Sequence, residues 1–369
     1  MKILVTGANG FIGKNLVLRL SNLKEFEILT YVRGDSLNVL SDHLSRADSV
    51  IHLAGENRPK DDNLYKLVNL GLTEEICKIL KDNQRDIPII FSSSRQASED
   101  NLYGQSKFAA EEVLKDLSLT NGNEILIYRL PGVFGKWSKP NYNSVVATFC
   151  NNIANDLPIA INNPNLNLKL VYIDDVIESF LLNVNKFQEK QITEINVNPE
   201  YEITLKDLSD KIEAFKYSRN SLKSDRVGEG LVRALYATYL SYLPHSKFSY
   251  ELPVHADERG VFVEMLKTPD TGQFSFFTAH PGITRGGHYH DTKNEKFLVI
   301  NGEACFKFRH MITNETVTIK TSGKSPKIVE TIPGWAHDIT NIGDNEMFVA
   351  LWANEIFDHG RPDTIAAEV

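Results

Sequence analysis

The stretch Thr6-Gly7-Ala8-Asn9-Gly10-Phe11-Ile12-Gly13 constrains the fold of this chain more than any other. It follows a short apolar run, Lys2–Thr6, and opens a segment with helical spacing. Glycine at these places permits a tight turn, lets backbone N–H groups approach a pyrophosphate and lets helix pack closely on strand. The phosphate then lies at the helix N-terminus, where unpaired amides and the helix dipole favour negative charge. Glycines alone would mark only a turn. Set between a first strand and a first helix, Gly7, Asn9, Gly10, Phe11, Ile12 and Gly13 read as a dinucleotide-binding loop.

The alternation continues through the first part of the chain. Lys2–Thr6, Glu27–Val32, Ser49–Ala54, Ile87–Ser92 and Glu124–Leu130 read as buried strands, and Leu64–Leu80 and Lys107–Leu117 as helices with one buried face. The pattern predicts a doubly wound α/β parallel sheet covered by helices, the Rossmann arrangement, over residues 1–243. Near Leu243–Ser249 the character changes to short strands punctuated by Gly and Pro, such as Phe274–Thr278, Lys296–Ile300, Cys305–Phe308, Thr316–Ile319 and Met347–Trp352. This predicts an all-β domain over 247–369. Eight of the 10 histidines lie at or after His245, so the two domains are expected to differ in chemistry.

Forty basic and 48 acidic residues leave a formal net charge of −8, with no basic run of the kind nucleic acid requires. No apolar stretch approaches the ~18 residues of a membrane span. Cys77, Cys150 and Cys305 are scattered and odd in number, the pattern of buried thiols in a reducing compartment. A cytoplasmic protein with neither nucleic-acid nor membrane partners is expected.

The second strand ends in Arg33-Gly34, where an NAD-preferring site would carry a carboxylate. Arginine there suits the 2′-phosphate of NADPH, although a solvated loop arginine would look the same. Tyr103-Gly104-Gln105-Ser106-Lys107 sets Tyr103 and Lys107 one helical turn apart, and the lysine is expected to lower the phenol pKa for proton transfer. The spacing alone is worth little, since Tyr289 and Lys293 repeat it. Context supports the first pair, because Phe91-Ser92-Ser93-Ser94 ends the preceding strand and offers a hydroxyl for a substrate oxygen.

Together with His52-Leu53-Ala54-Gly55, Asn69, Arg129–Gly135 and Tyr172–Val176, these segments resemble the extended short-chain dehydrogenase/reductase family acting on nucleotide sugars. The resemblance implies that Tyr103 is the general acid, that Lys107 binds the cofactor ribose and that Ser94 holds the carbonyl, with Ser93 as the alternative. It also adds Leu53 and Ala54 to the cofactor contacts. Dehydratases of the family follow the Ser/Thr with Asp-Glu, whereas Arg95-Gln96 stand here, which disfavours dehydration.

In the second domain His288 and His290 are two apart and share a strand face, Glu295 begins the next strand, and His337 follows Pro333-Gly334-Trp335-Ala336, with Asn341 beyond it. Imidazoles with a carboxylate suit Zn²⁺, Fe²⁺, Mn²⁺ or Ni²⁺; Zn²⁺ is the leading expectation. The two motifs resemble the signatures of the cupin (jelly-roll) superfamily. Asp257–Gly260 and Arg285–His288 also resemble cupin-fold epimerases of nucleotide keto-sugars, in which the first histidine is a base and no metal is needed. His288 and His290 are therefore ligands, bases or both, and Arg259 and Arg285 would contact phosphate or sugar.

The pairing of both domains resembles the bifunctional capsule-biosynthesis reductases of the UDP-N-acetyl-L-fucosamine pathway. That resemblance implies C3 epimerisation of a UDP-4-keto-6-deoxy-N-acetylhexosamine in the cupin domain, then NADPH-dependent C4 reduction in the first, by a homodimer. Two other readings are a single-function ketoreductase with a structural cupin domain and a non-enzymatic NADPH sensor.

Overall fold

The alternating part of the sequence folds around a six-stranded parallel sheet in the computed structural model, which describes residues 1–184, 191–360 and 362–369. Its strands are β1 (Lys2–Thr6), β2 (Glu27–Tyr31), β3 (Ser49–His52), β4 (Ile89–Ser94) and β5 (Ile125–Leu130). Next come β6 (Gly132–Phe134), β7 (Asn167–Tyr172), β8 (Ile192–Glu194) and β9 (Glu200–Thr204). The main sheet runs β2-β1-β3-β4-β5-β8 with every neighbour parallel, and β6, β7 and β9 form a small second sheet. The chain leaves β1 on one side for β2 and on the other for β3. A crevice therefore opens at the C-terminal ends of β1 and β3, the usual ligand position in such sheets.

Helices α1 (Phe11–Ser21), α2 (Leu37–Arg46), α3 (Leu72–Asp82) and α4 (Leu102–Asn121) pack against it. The strands read as continuous apolar runs because both faces are covered: Ile3, Leu4, Val5, Ile89, Ile90 and Phe91 are fully buried. Leu40, Leu44, Ile76, Leu80 and Leu114 complete this core. The helix expected over Leu64–Leu80 instead begins with a π-helical stretch, Tyr65–Gly71, before α3. Cys77, Cys150 and Cys305 are buried free thiols, and burial pushes Cys77 up to about 12.

The second half is all β. It comprises β10 (Val254–Asp257), β11 (Gly260–Thr268), β12 (Gly272–Ala279), β13 (Thr284–Tyr289), β14 (Glu295–Asn301), β15 (Glu303–His310) and β16 (Thr316–Ser322). It ends with β17 (Ile328–Glu330), β18 (Trp335–Asn341), β19 (Met347–Ala353) and β20 (Ile365–Ala366). Two antiparallel sheets, β10-β11-β12-β19-β14-β17 and β16-β15-β18-β13-β20, face each other as a cupin jelly roll. Phe277, Phe297, Val299, Phe306, Phe308, Ile339 and Val349 fill the space between them. Compactness divides the chain into Met1–Glu213 with Ala234–Pro244, and Ala214–Arg233 with His245–Val369. Among the described residues no helix is long and apolar enough to cross a membrane.

The turn from β1 into α1 is held by contact as well as by conformation. A Cβ on Gly13 would lie 2.3 Å from the Gly7 carbonyl oxygen and 2.7 Å from the Ala8 Cα. Gly13→Ala is expected to destabilise the α/β unit by about 1–3 kcal/mol, the usual range for overpacking. Chemical denaturation followed by circular dichroism checks this; an unchanged midpoint would show that the loop yields.

Candidate functional site

The C-terminal ends of β1 and β3 are joined by the Thr6 hydroxyl. It pairs with His52 Nδ1 at 2.7 Å and accepts the amides of Leu53 and Ala54 at 3.2 Å each. His52 is fully buried with Nε2 on the Thr73 hydroxyl at 3.0 Å. Burial, with the nearby Lys107 charge, pushes its pKa down to about 3, so it serves as a neutral strut. Gly7 (φ +68°) approaches this corner so closely that a Cβ would stand 2.7 Å from the Ala54 nitrogen. Leu53 and Ala54 are thereby brought to the glycine loop. Asn9 is exposed there, and Gly10 begins α1 with no side-chain cap. The first-turn amides of Phe11, Ile12 and Gly13 are the groups such a loop offers to a phosphate.

Arg33 stands just beyond β2, 83% exposed, and its guanidinium pairs with the nearly buried Glu56. A 2′-phosphate would share or take that guanidinium from Glu56, a partner 23 residues away in the chain that no local motif announces. Asn69, on the π-helical stretch, ties this corner to the start of α4. It accepts the Glu56 amide at 2.7 Å and donates to Ser106 Oγ at 2.9 Å, and Ser106 in turn donates to the Tyr103 carbonyl at 2.7 Å.

Ser94, Tyr103 and Lys107 come together on β4 and α4. The Ser94 side chain lies close enough to act on the Tyr103 phenol and accepts the Gln96 amide at 3.2 Å, while Ser93 is turned away, with its hydroxyl on the Glu111 carboxylate. The phenol departs from expectation: its pKa is raised, because burial outweighs the opposing effect of Ser94 and Lys107 does not draw it down. Lys107 is itself buried, 4.3 Å from the Phe91 ring centre, and burial pushes its pKa down to about 8 against the opposing Glu111 charge. A phenol kept protonated at neutral pH suits donation of a proton better than its removal.

Glu111 was not singled out from the sequence, although its spacing of four from Lys107 puts it on the same helix face. It has no exposure and takes Arg129 bidentately, Nε at 3.0 Å and Nη2 at 2.6 Å. Arg95, in the place where dehydratases carry an acid, is engaged by Glu200 on β9.

In the β unit a bulge decides which side chains face inward. Arg285 pairs with Ile339 and Gly286 with Asp338, but the register then slips so that His288, not Gly287, opposes His337. The slip at Gly286 (φ +106°) and Gly287 (φ +78°) turns His288 and His290 to the interior. Ring centroids lie 4.6 Å apart for His288–His337, 5.0 Å for His288–His290 and 5.2 Å for His290–His337. With Glu295 they offer four ligand atoms within 4.8 Å of one another.

The donor set fits a cation. His290 Nδ1 points to the Asp363 carbonyl and His337 Nδ1 to the Trp335 carbonyl at 3.5 Å, so both rings turn an Nε2 lone pair inward. His290 Nε2 and His337 Nε2 lie 3.3 Å and 3.6 Å from the same Glu295 oxygen, and the buried His337 Nε2 has no hydrogen-bond partner among the described residues. Lone pairs facing a carboxylate oxygen need a positive charge between them. The other Glu295 oxygen takes Lys293 Nζ at 3.0 Å. Burial alone would raise the Glu295 pKa, and the Lys293 charge opposes it. Lys293 thus serves Glu295, and Tyr289 belongs to a strand, so the second Tyr-x-x-x-Lys spacing is no helical pair. Asn341 is turned to the Ala279 and Asn345 carbonyls instead of the cluster. Arg285 is largely buried against Phe277, and Arg259 pairs with Asp257.

An NAD(P)-type crevice with a Ser–Tyr–Lys set, joined to a cupin with a four-donor cluster, defines a two-domain short-chain dehydrogenase/reductase. Comparison with known proteins narrows the class. The model of the NAD dependent epimerase/dehydratase family matches residues 3–198, and that of the polysaccharide biosynthesis C-terminal domain matches 255–365. A UDP-2-acetamido-2,6-beta-L-arabino-hexul-4-ose reductase from Pseudomonas aeruginosa is 52% identical over 100% of this chain and 99% of its own. The crystal structure of the capsular polysaccharide assembling protein CapF from Staphylococcus aureus superposes with TM-score 0.93 at 40% identity, covering 100% of both chains. UDP-glucuronic acid 4-epimerase from Bacillus cereus, solved with NAD, shares the fold at 20% identity and TM-score 0.56, over 66% of this chain and 98% of that one. The chain belongs to the NAD dependent epimerase/dehydratase family, in the branch that carries a polysaccharide biosynthesis C-terminal domain.

Because the Glu111 carboxylate is what opposes the fall in the Lys107 pKa, its removal has a defined sign. Glu111→Gln should lower that pKa further below about 8, so that the ammonium is lost earlier as pH rises. NADPH affinity, measured by fluorescence titration across the neutral and alkaline range, should then decline at lower pH than in the parent protein. Superimposable profiles would refute the coupling.

Proposed function

We propose that this chain is a bifunctional UDP-sugar enzyme of capsule biosynthesis, cytoplasmic and homodimeric. The cupin unit epimerises C3 of a UDP-2-acetamido-2,6-dideoxy-4-hexulose. The α/β unit then reduces C4 with NADPH, giving UDP-2-acetamido-2,6-dideoxy-β-L-talose on the way to UDP-N-acetyl-L-fucosamine. The observation that carries this reading is the end-to-end likeness to a UDP-hexulose reductase in a chain that keeps both residue sets.

When bound, NADPH supplies a hydride and a divalent ion, expected to be Zn²⁺, supplies positive charge. In the α/β unit Ser94 would orient the C4 carbonyl oxygen, and Tyr103 would donate the proton that this oxygen needs as it becomes a hydroxyl. Lys107 would hold the cofactor ribose, the glycine loop the pyrophosphate, and Arg33 the 2′-phosphate. In the cupin unit His290, Glu295 and His337 would hold the ion. His288 is the least buried of the four, and burial with the neighbouring His337 lowers its pKa to about 4. Its free lone pair can complete the ligand set or receive a proton.

Chemistry sets the order of the two steps. A C–H beside a ketone is acidic because the resulting anion spreads onto the carbonyl oxygen, and a nearby positive charge favours it further. The C4 alcohol lacks that acidity, so epimerisation precedes reduction and reduction traps one epimer.

Incubation with UDP-4-keto-6-deoxy-N-acetylhexosamine in D₂O without NADPH should exchange the C3 proton, seen by NMR. His290→Ala or removal of metal should stop the exchange. If the parent protein exchanges no proton yet oxidises NADPH, the cupin unit is no epimerase for this substrate. In the other unit, Tyr103→Phe should slow NADPH oxidation by about 10²–10⁴-fold, the range of a lost general acid, with cofactor affinity retained. Turnover near the parent rate would remove Tyr103 from its role.

A further inference from the structure

We propose that residues 363–368 form a strap that builds the cupin metal site, with Asp363 as its positioning residue: it fixes the His290 ring and the loop leading to Glu295 in ligating geometry. The proposal rests on reading the His288–His290–Glu295–His337 cluster as a metal site.

Asp363 works with both its side chain and its backbone. One carboxylate oxygen accepts the Asp291 amide at 2.8 Å, and the other accepts the Thr292 and Lys293 amides at 2.7 Å each and the Thr292 hydroxyl at 3.0 Å. Three successive N–H groups converge on one anion only in a particular loop conformation, so the carboxylate selects that conformation. The loop it selects is the whole connection between His290 and Glu295, and its Lys293 ammonium holds the outer Glu295 oxygen. The Asp363 backbone carbonyl meanwhile takes His290 Nδ1, leaving Nε2 unprotonated toward the cluster.

The remainder of the strap grips the adjacent strand. In β20, Ala366 pairs with His288 and Ile365 with Tyr289, and the Ala367 amide donates to the Gly287 carbonyl at 3.0 Å. Arg309 on β15 fastens the far end, with Nε at 3.0 Å and Nη2 at 2.6 Å from the Glu368 carbonyl. One short segment therefore acts on His288 through its backbone, on His290 through its ring and on Glu295 through the loop.

The test uses the full chain with Zn²⁺ and Co²⁺ as probes. Zn²⁺ affinity is measured by competition with a chromophoric chelator, and coordination geometry by the Co²⁺ absorption spectrum. Asp363→Ala should weaken Zn²⁺ binding about 10–100-fold, as loss of an outer partner does elsewhere, and should alter the Co²⁺ bands. Asp363→Asn keeps one oxygen acceptor and should fall between the two; it decides the matter if Asp363→Ala fails to fold. Parent-like affinity and an unchanged Co²⁺ spectrum in a folded variant would overturn the strap while leaving the metal site intact. If the parent protein binds neither ion, the metal reading fails and the proposal falls with it.

Discussion

The Glu111 carboxylate has no contact with water, so the interior must satisfy it, and Arg129 and Ser93 do so from β5 and β4. A buried charge left without partners is among the costliest defects in a folded chain. The constraint spreads outward from there. With Ser93 committed to Glu111, Ser94 is the serine that meets Tyr103. With Glu111 one turn from Lys107, a lysine that burial would otherwise neutralise keeps part of its basicity. The same requirement shapes the cupin unit, where Glu295 is enclosed by two imidazoles and one ammonium. Each unit thus places an acid too deep for solvent and surrounds it with groups that a substrate or cofactor can use.

Much of this was legible in the chain of residues. A glycine loop between strand and helix carries its own physical reason, and the strands were readable because parallel strands covered on both faces must be apolar throughout. Ser94, Tyr103, Lys107 and the four cupin donors sit in short local motifs. Glu111 had a signal, its spacing from Lys107, but a glutamate on a helix face is usually solvated and nothing local says that this one is buried. The phenol pKa went the other way because burial depends on everything packed around Tyr103, which no spacing encodes. Asp363 gave no signal at all: it lies 73 residues from His290, and only closure of the sheet joins them. Arg33 was legible as a cation, whereas its pairing with Glu56 was not.

In the proposed reaction the two units divide one chemical problem. Both would act on a ketone, one on the carbon beside it and one on the carbonyl carbon itself. The first needs positive charge near an oxygen and a group able to receive a proton; the second needs a proton held ready. The cupin offers His288, an imidazole that burial keeps neutral, and the α/β unit offers a phenol kept in its protonated form. These are complementary protonation states, each produced by local burial.

Alternation along β13 puts His288 and His290 on a common face but does not say which face. Continued without interruption from Arg285, it would send both histidines to the outside of the sheet. The slip at Gly286 and Gly287 reverses that parity. Presence or absence of the cupin centre is therefore a matter of register: the same glycine pair run flat, without the slip, would leave every ligand encoded and the barrel free to close, with two of the four ligands facing solvent. Among chains of this architecture that keep both glycines, keeping or losing this slip would separate those that can gather an ion from those that merely keep its histidines.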